Sequence, residues 1–290
     1  DIYFCAVDGN DYQADILCGR FSAQSDADLS PQITKTIAYG NNELRNYAFL
    51  RDYVLVAGWD SNWAVKRGYP HVRYEYTYYF KAPEFTTPIE TDDDPNQNVF
   101  LSKSSGHHET EIKNLVSEGL GFFQYTAHGS EDSFADPYFD RDDIDALNNT
   151  GKYCLVIGNC CLTAKFDSTT YEPCFGEKWL RVENKGAIGY IGGSCYTYWD
   201  EDMWWGIGYC TITPEIDQGN PPPIEDTGDG AVDAGFKQLH HNCNTGVMYG
   251  GNLAVQESGS SLTDYYWQVY HLFGDPSLEP LWTKPPAGVF

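Results

Sequence analysis

Phe122-Phe123-Gln124-Tyr125-Thr126-Ala127-His128-Gly129-Ser130 and, some thirty residues on, Cys154-Leu155-Val156-Ile157-Gly158-Asn159-Cys160-Cys161 decide how this chain reads. Each begins as a short aromatic or β-branched run, the composition of a strand buried on both faces of a sheet. Each then breaks into small or polar residues carrying one reactive group, an imidazole in the first and a thiol in the second. In open parallel sheets ligands sit outside the carboxyl ends of the strands, so groups at two such ends share one cleft however distant in sequence. A thiol needs an imidazole to take its proton, and Gly129 lets a backbone N–H approach a developing oxyanion. The pair therefore points to acyl transfer. Taken singly, a Cys closing an apolar run is more often an inert core thiol, and a His before Gly a turn residue. Their joint occurrence after two strands carries the reading. Adjacent residues on an extended segment point to opposite faces, so only one of Cys160 and Cys161 can face the cleft.

Working outward, 187–191 reads as a further buried strand, and 2–7 and 15–21 as strands near the start. The stretch Tyr74-Glu75-Tyr76-Thr77-Tyr78-Tyr79-Phe80 alternates in part like a strand with one wetter face. Helices are expected over 29–50, over 142–147 and over 175–183. Another is expected within 102–119, where Ile112, Leu115, Val116 and Leu120 line one side. Helices alternating with apolar strands imply an α/β fold with a mostly parallel sheet covered on both faces. The stretch 213–231, with Pro221-Pro222-Pro223, reads as a surface loop.

At 290 residues the chain can bury a full core as one large domain. A formal net charge of −24, from 42 acidic against 18 basic residues, argues against nucleic-acid or anionic-membrane partners. No apolar stretch is long enough for a membrane-spanning helix, and the first residues lack a signal-peptide pattern. Clustered carboxylates suit a hard cation, and the candidate runs are 92–94, 140–143 and 226–229. None has EF-hand spacing, and ordinary acidic loops account for each. The 22 Tyr, 15 Phe and 8 Trp support packing with buried hydroxyls, or an aromatic surface for glycan or protein binding. Nine cysteines without metal-type spacing fit one nucleophile plus up to four disulfides. Cys5 and Cys18 are placed to flank a hairpin about Asp8-Gly9-Asn10-Asp11, and Cys210 and Cys243 to bracket the Pro/Gly-rich stretch.

Several motifs in one order resemble the gingipain-like cysteine peptidases, family C25 of the caspase-like clan CD. Near the start stand Asp15-Ile16-Leu17-Cys18-Gly19-Arg20-Phe21-Ser22 and Gln32-Ile33-Thr34-Lys35-Thr36-Ile37-Ala38-Tyr39. His128-Gly129-Ser130-Glu131 and Pro173-Cys174-Phe175-Gly176-Glu177 follow, and Phe273-Gly274-Asp275-Pro276-Ser277-Leu278 closes the series. The resemblance covers nearly the whole chain. It implies a caspase-like three-layer α/β/α sandwich, with residues 1–284 equivalent to the family's second catalytic subdomain and 285–290 the start of a tail or linker. A smaller subdomain or a pro-segment before it is then expected.

The resemblance also implies roles. The family's nucleophile stands five residues before a Phe, which Cys161 does with respect to Phe166, leaving Cys160 to face the core. His128 is then the proton carrier. Asp60, after Val54-Leu55-Val56-Ala57-Gly58-Trp59, stands where the family orients its histidine, although Asp replaces the family's Glu. The oxyanion donors implied are the backbone N–H groups of Gly129 and Cys161. Trp199 matches a tryptophan walling the family's S1 pocket, and the Asp200-Glu201-Asp202 run after it makes Asp200 and Asp202 candidates to select Arg or Lys. The segment that bears the pocket aspartate in Arg-specific members is here Ala64-Val65-Lys66-Arg67-Gly68, basic rather than acidic, so strict Arg specificity does not carry over. The expectation is a secreted cysteine endopeptidase acting on proteins or peptides through a thioester. It would require no cofactor for the chemistry, with calcium as a structural ion. The alternatives are a sortase-like transpeptidase of the same fold and a non-catalytic binding domain.

Overall fold

The computed structural model describes residues 1–41, 43–44, 47–86, 98–237 and 243–283. Five parallel strands and one antiparallel edge strand form the central sheet. In chain order they are β1 (Tyr53–Ala57), β2 (Val99–Leu101), β3 (Phe122–Thr126), β6 (Cys154–Asn159), β7 (Ala187–Gly193) and β8 (Tyr270–Gly274), arranged β2-β1-β3-β6-β7-β8. The intervening β4 (Ser133–Ala135) and β5 (Tyr138–Asp140) pair as a small hairpin above the β3 end.

Alternation along the strands divides the core. Tyr53, Leu55, Phe122, Leu155 and Ile157 face one apolar cluster, whereas Val54, Val56, Phe123, Tyr125 and Val156 face the other. Helices cover both faces because apolar strands exposed on either side would leave that surface in water. The first face carries α2 (Tyr69–Glu75), α6 (Trp199–Ile207), α8 (Ala231–Lys237), α9 (Asn244–Glu257) and α10 (Thr263–Val269). The second carries α3 (Glu109–Glu118), α4 (Arg141–Ala146) and α5 (Phe175–Arg181). A third, smaller cluster lies beneath α1 (Asp26–Gly40), and the short α7 (Pro214–Asp217) lies in the long loop after α6. The mostly parallel three-layer α/β/α architecture expected from the sequence is the one found.

Several local expectations are corrected. Residues 2–7 and 15–21 are not strands. Ile2–Phe4 is a 3₁₀ turn, and only Arg20 bridges to the sheet, opposite Phe273. A disulfide joins Cys5 and Cys18, and the Asp15 carboxylate accepts from the Val7 and Asp8 N–H groups, so loop closure replaces pairing. The expected helix over 29–50 is α1 followed by a separate 3₁₀ turn, Ala48–Arg51. Tyr74 to Phe80 is helical, with α2 running on into a π-helix, Tyr76–Phe80. The five-residue π spacing lets the Tyr74 and Tyr79 hydroxyls both donate to Asp233 Oδ1, which satisfies two buried hydroxyls on one carboxylate. Cys210 and Cys243 are both free thiols. The loop 213–231 is as expected, apart from α7 and a 3₁₀ turn at Ile224–Asp226.

Candidate active site

Strand register brings the two reactive segments together. Thr126 of β3 pairs with Asn159 of β6, so His128 and Cys161 each stand two residues beyond the same rung. Adjacent strands lie only about 4.8 Å apart. Gly129 shows how closely the segments meet. A Cβ built there would lie 2.6 Å from Cys160 Sγ, 2.7 Å from the Cys161 carbonyl oxygen and 2.8 Å from Thr163 Cγ2. The need for glycine is therefore steric, arising from contact with the nucleophile segment rather than from backbone conformation.

The chain turns sharply after Cys161. Leu162 takes a left-handed φ of 64°, uncommon for a branched residue, while its N–H donates to the Cys195 carbonyl. The turn leaves Cys161 partly exposed, whereas Cys160 is 0% exposed and joins the core beneath the second face. Cys160 thus faces the core, as the resemblance implied. Among the described residues, neither the Gly129 nor the Cys161 N–H has a protein acceptor, since the hydrogen bonds flanking them are made by Ser130, Cys160 and Leu162. Two vacant N–H donors beside a thiol suit an oxyanion.

His128 is open to solvent, its side chain 52% exposed, and it rests edge-on against Trp199 with ring centroids 5.4 Å apart. Its Nε2 donates to Asp60 Oδ2 at 3.0 Å. An ionised carboxylate only accepts, which leaves the lone pair on Nδ1. Asp60 is itself fixed, because Oδ1 accepts from the Asn62 and Trp63 N–H groups at 2.7 Å each. Burial alone would raise the Asp60 carboxyl, but the His128 hydrogen bond and these two N–H groups hold it below its ordinary value. The shorter Asp side chain thus still reaches the imidazole.

Cys161 Sγ is engaged by Thr197. It accepts the Thr197 N–H at 3.3 Å and lies 3.7 Å from the carbonyl oxygen and 3.8 Å from Oγ1. His128 is not among its hydrogen-bond partners in this resting geometry. Burial raises the thiol, the Thr197 N–H opposes that shift, and the Asp202 charge adds to it, so the net direction is upward. The upward shift favours the protonated form of the Cys161 side chain.

The acidic run after Trp199 divides by burial. Asp200 pairs with Arg67, which also holds Asp217, so the basic segment noted in the sequence engages this carboxylate. Glu201 accepts from Ser260. Asp202 is 5% exposed. Its Oδ2 accepts from the Thr197 hydroxyl at 2.6 Å and its Oδ1 from Tyr266 and Tyr270, each at 2.9 Å. Burial pushes its carboxyl up to about 6 despite these three hydroxyls. Thr197, Tyr266 and Tyr270 were not singled out in the sequence. Nothing in their spacing marks them, since Tyr266 and Tyr270 arrive from α10 and β8, more than sixty residues away.

Several of the acidic candidates for a cation have partners within the protein. Asp140 and Asp143 form the capping box of α4, and Asp229 pairs with Lys237. Residues 92–94 lie outside the described residues. Among the described residues no group of three or more His, Cys, Asp or Glu side chains is disposed to hold a metal, and no helix is long and apolar enough to cross a membrane.

Comparison with known proteins agrees with this geometry. The profile of Peptidase family C25 matches residues 1–281. Lys-gingipain of Porphyromonas gingivalis is 36% identical over all of this chain, which spans only 16% of that protein's length. Gingipain R2 of the same species is 23% identical over 96% of the chain and 34% of its own. A solved structure described as a protease superposes with a TM-score of 0.84 at 36% identity, covering 97% of this chain and 59% of that one. The complex of RgpB pro- and mature domains gives 0.68 at 20% identity over 96% of this chain and 60% of that one, which speaks to fold alone. Profile, relatives and fold agree across the chain, which belongs to peptidase family C25.

Proposed function

We propose that this chain is a cysteine endopeptidase in which Cys161 is the nucleophile, His128 the proton carrier and Asp60 the residue that orients it. The observation that carries the proposal is the shared register of His128 and Cys161, with Gly129 pressed against the Cys160-Cys161 backbone and Asp60 gripping the imidazole.

The geometry suggests the order of steps. Sγ turns from Thr197 toward the imidazole, a rotation about one Cα–Cβ bond, and passes its proton to His128 Nδ1. Sulfur attacks the scissile carbonyl carbon, and the oxyanion takes the vacant N–H groups of Gly129 and Cys161. The C–N bond breaks as His128 returns the proton to the leaving amine, leaving a thioester on Cys161. Water then gives a proton to His128 and attacks the acyl carbon. The C–S bond breaks, and the proton returns to sulfur. Asp60 stabilises the imidazolium in both halves. This route asks for no metal or organic cofactor in the chemistry.

The relatives named Lys-gingipain and the solved Arg-specific gingipain R are by name directed at basic residues. We extend a basic P1 preference to this chain. Trp199 would wall the pocket and Asp202 would receive the cation, because Arg67 already pairs with Asp200 and, among the described residues, Asp202 Oδ2 accepts from the Thr197 hydroxyl alone. The Cys5–Cys18 disulfide supports an oxidising, extracellular setting. A pro-segment or companion subdomain fits the chain's partial coverage of its relatives.

The test is cleavage of a peptide library varied at P1, in reducing buffer, by the chain and its Cys161→Ala form. Cleavage after Lys or Arg that vanishes in the variant is expected. Cleavage that persists in Cys161→Ala sinks the assignment, and diversion of product by added amines would instead indicate a transpeptidase.

A further inference from the structure

One hydroxyl separates the specificity carboxylate from the nucleophile. The Thr197 hydroxyl donates to Asp202 Oδ2 at 2.6 Å and lies 3.8 Å from Cys161 Sγ, while the N–H of the same residue donates to that sulfur. Asp202 is held rigidly in this position. The Tyr266 and Tyr270 hydroxyls donate to its other oxygen, and Asn159, the last residue of β6, donates to its backbone carbonyl. A negative charge thus stands within about 6 Å of the sulfur, on a carboxylate that is itself buried although the sulfur is partly exposed. Thiolate formation must proceed against that charge.

We infer that a basic P1 side chain activates the nucleophile that will cut behind it: by pairing with Asp202, the substrate cation removes the negative charge facing Cys161 and so favours the thiolate. The inference rests on the reading of Asp202 as the receptor of a basic P1 residue. It adds that the same contact sets the reactivity of the thiol, so recognition and activation are one electrostatic event. The upward displacement of the Cys161 thiol, to which Asp202 contributes, agrees with this arrangement. The other titratable groups near the two residues come from several elements. Cys160 and His128 flank Cys161, Tyr265 of α10 faces it, and His71 of α2 lies near Asp202 alongside Tyr266 and Tyr270. His71 is held by Glu75 and packs against Gly206, one turn after Asp202 on α6. Among the described residues no lysine or arginine pairs with Asp202, so the P1 cation would be its neutralising partner from outside the protein.

The experiment follows alkylation of Cys161 by iodoacetamide across pH, read by mass spectrometry of the Cys161 peptide, because six other free cysteines are present. It is run with and without n-butylammonium as the side-chain probe, and with n-butanol as its uncharged counterpart. Removing the repulsion between two like unit charges about 6 Å apart, partly screened, should lower the half-titration point by about one pH unit and raise the rate at neutral pH about tenfold. Butanol should change neither. In Asp202→Asn, whose amide keeps an acceptor and gains a donor for the Thr197 oxygen, the half-titration point should start lower and ignore the amine. Butylammonium that inhibits peptide cleavage competitively without moving the alkylation profile overturns the inference and leaves the P1 reading standing. Butylammonium that fails to compete overturns both. Because the amine arm uses the unmodified chain, a folding defect in the variant does not blunt the test.

Discussion

Replacing Gly129 by Ala tests the contact on which the site depends. The position does not have a positive φ, so the alanine backbone is unstrained and the effect is steric. The new methyl group would lie 2.6 to 2.8 Å from Cys160 Sγ, the Cys161 carbonyl oxygen and Thr163 Cγ2, where ordinary contacts begin near 3.4 Å. Cys160 and Thr163 are fully buried, and the carbonyl cannot yield without moving the nucleophile. The His128 and Cys161 segments must therefore separate by roughly 0.6–0.8 Å. Displacement on that scale costs about 10²-fold in rate, and overpacking costs about 1–3 kcal/mol in stability. Gly151→Ala provides the control. Nothing lies within 4 Å of its Cβ, but its φ of 73° makes alanine pay a backbone cost of about 1–2 kcal/mol far from the site. Steady-state kinetics on a P1-Lys peptide and thermal melts would be measured for both variants. The expected result is a similar loss of stability in the two, with kcat falling about a hundredfold only in Gly129→Ala. If Gly129→Ala keeps kcat within threefold of the parent, the shared-register geometry of the site is wrong.

Cys160→Ala should keep kcat/KM within about threefold and lose about 1 kcal/mol of stability from the vacated core volume, whereas Cys161→Ala should fall to background; equal losses in the two would undo the assignment of the nucleophile. Asp60→Asn removes a charge-assisted hydrogen bond worth about 1.5–3 kcal/mol, so kcat/KM should drop about 10- to 100-fold with Tm little changed. Asp202 supplies a test of sign. A carboxyl raised to about 6 binds its proton more tightly in the fold than in the unfolded chain, so its favourable contribution is complete below about pH 4 and is lost as pH rises through about 6. Burying the charge then costs about 3 kcal/mol at pH 7.5. Asp202→Asn should therefore melt higher relative to the parent at pH 7.5 than at pH 4.5, by about 5 °C; a gap that does not depend on pH would refute this.

The sequence by itself determined the alternation of strands and helices, the two strand ends bearing His128 and Cys161, and the glycine between them. Those signals are local, because an apolar run that stops at a reactive residue is visible in one dimension. Asp60 came from the family resemblance, which looks for an acidic residue after an apolar run such as that of β1. The amphipathic stripe of Ile112 and Val116 likewise placed α3. Tyr74 to Phe80 misled because, with Thr77 its one exposed residue and even Glu75 buried, it has too little polar contrast to distinguish a period of two from a helical one. The segments at 2–7 and 15–21 have strand composition but are held by a disulfide and a carboxylate, and composition does not say whether a sheet edge will accept a strand. Only the tertiary structure decided that Arg67 pairs with Asp200, that Asp202 is buried against hydroxyls from Thr197, Tyr266 and Tyr270, and that Thr197 holds the Cys161 sulfur. These contacts join residues up to about 130 positions apart, and whether a carboxylate stands in water or beneath a thiol depends on which elements the fold lays over it.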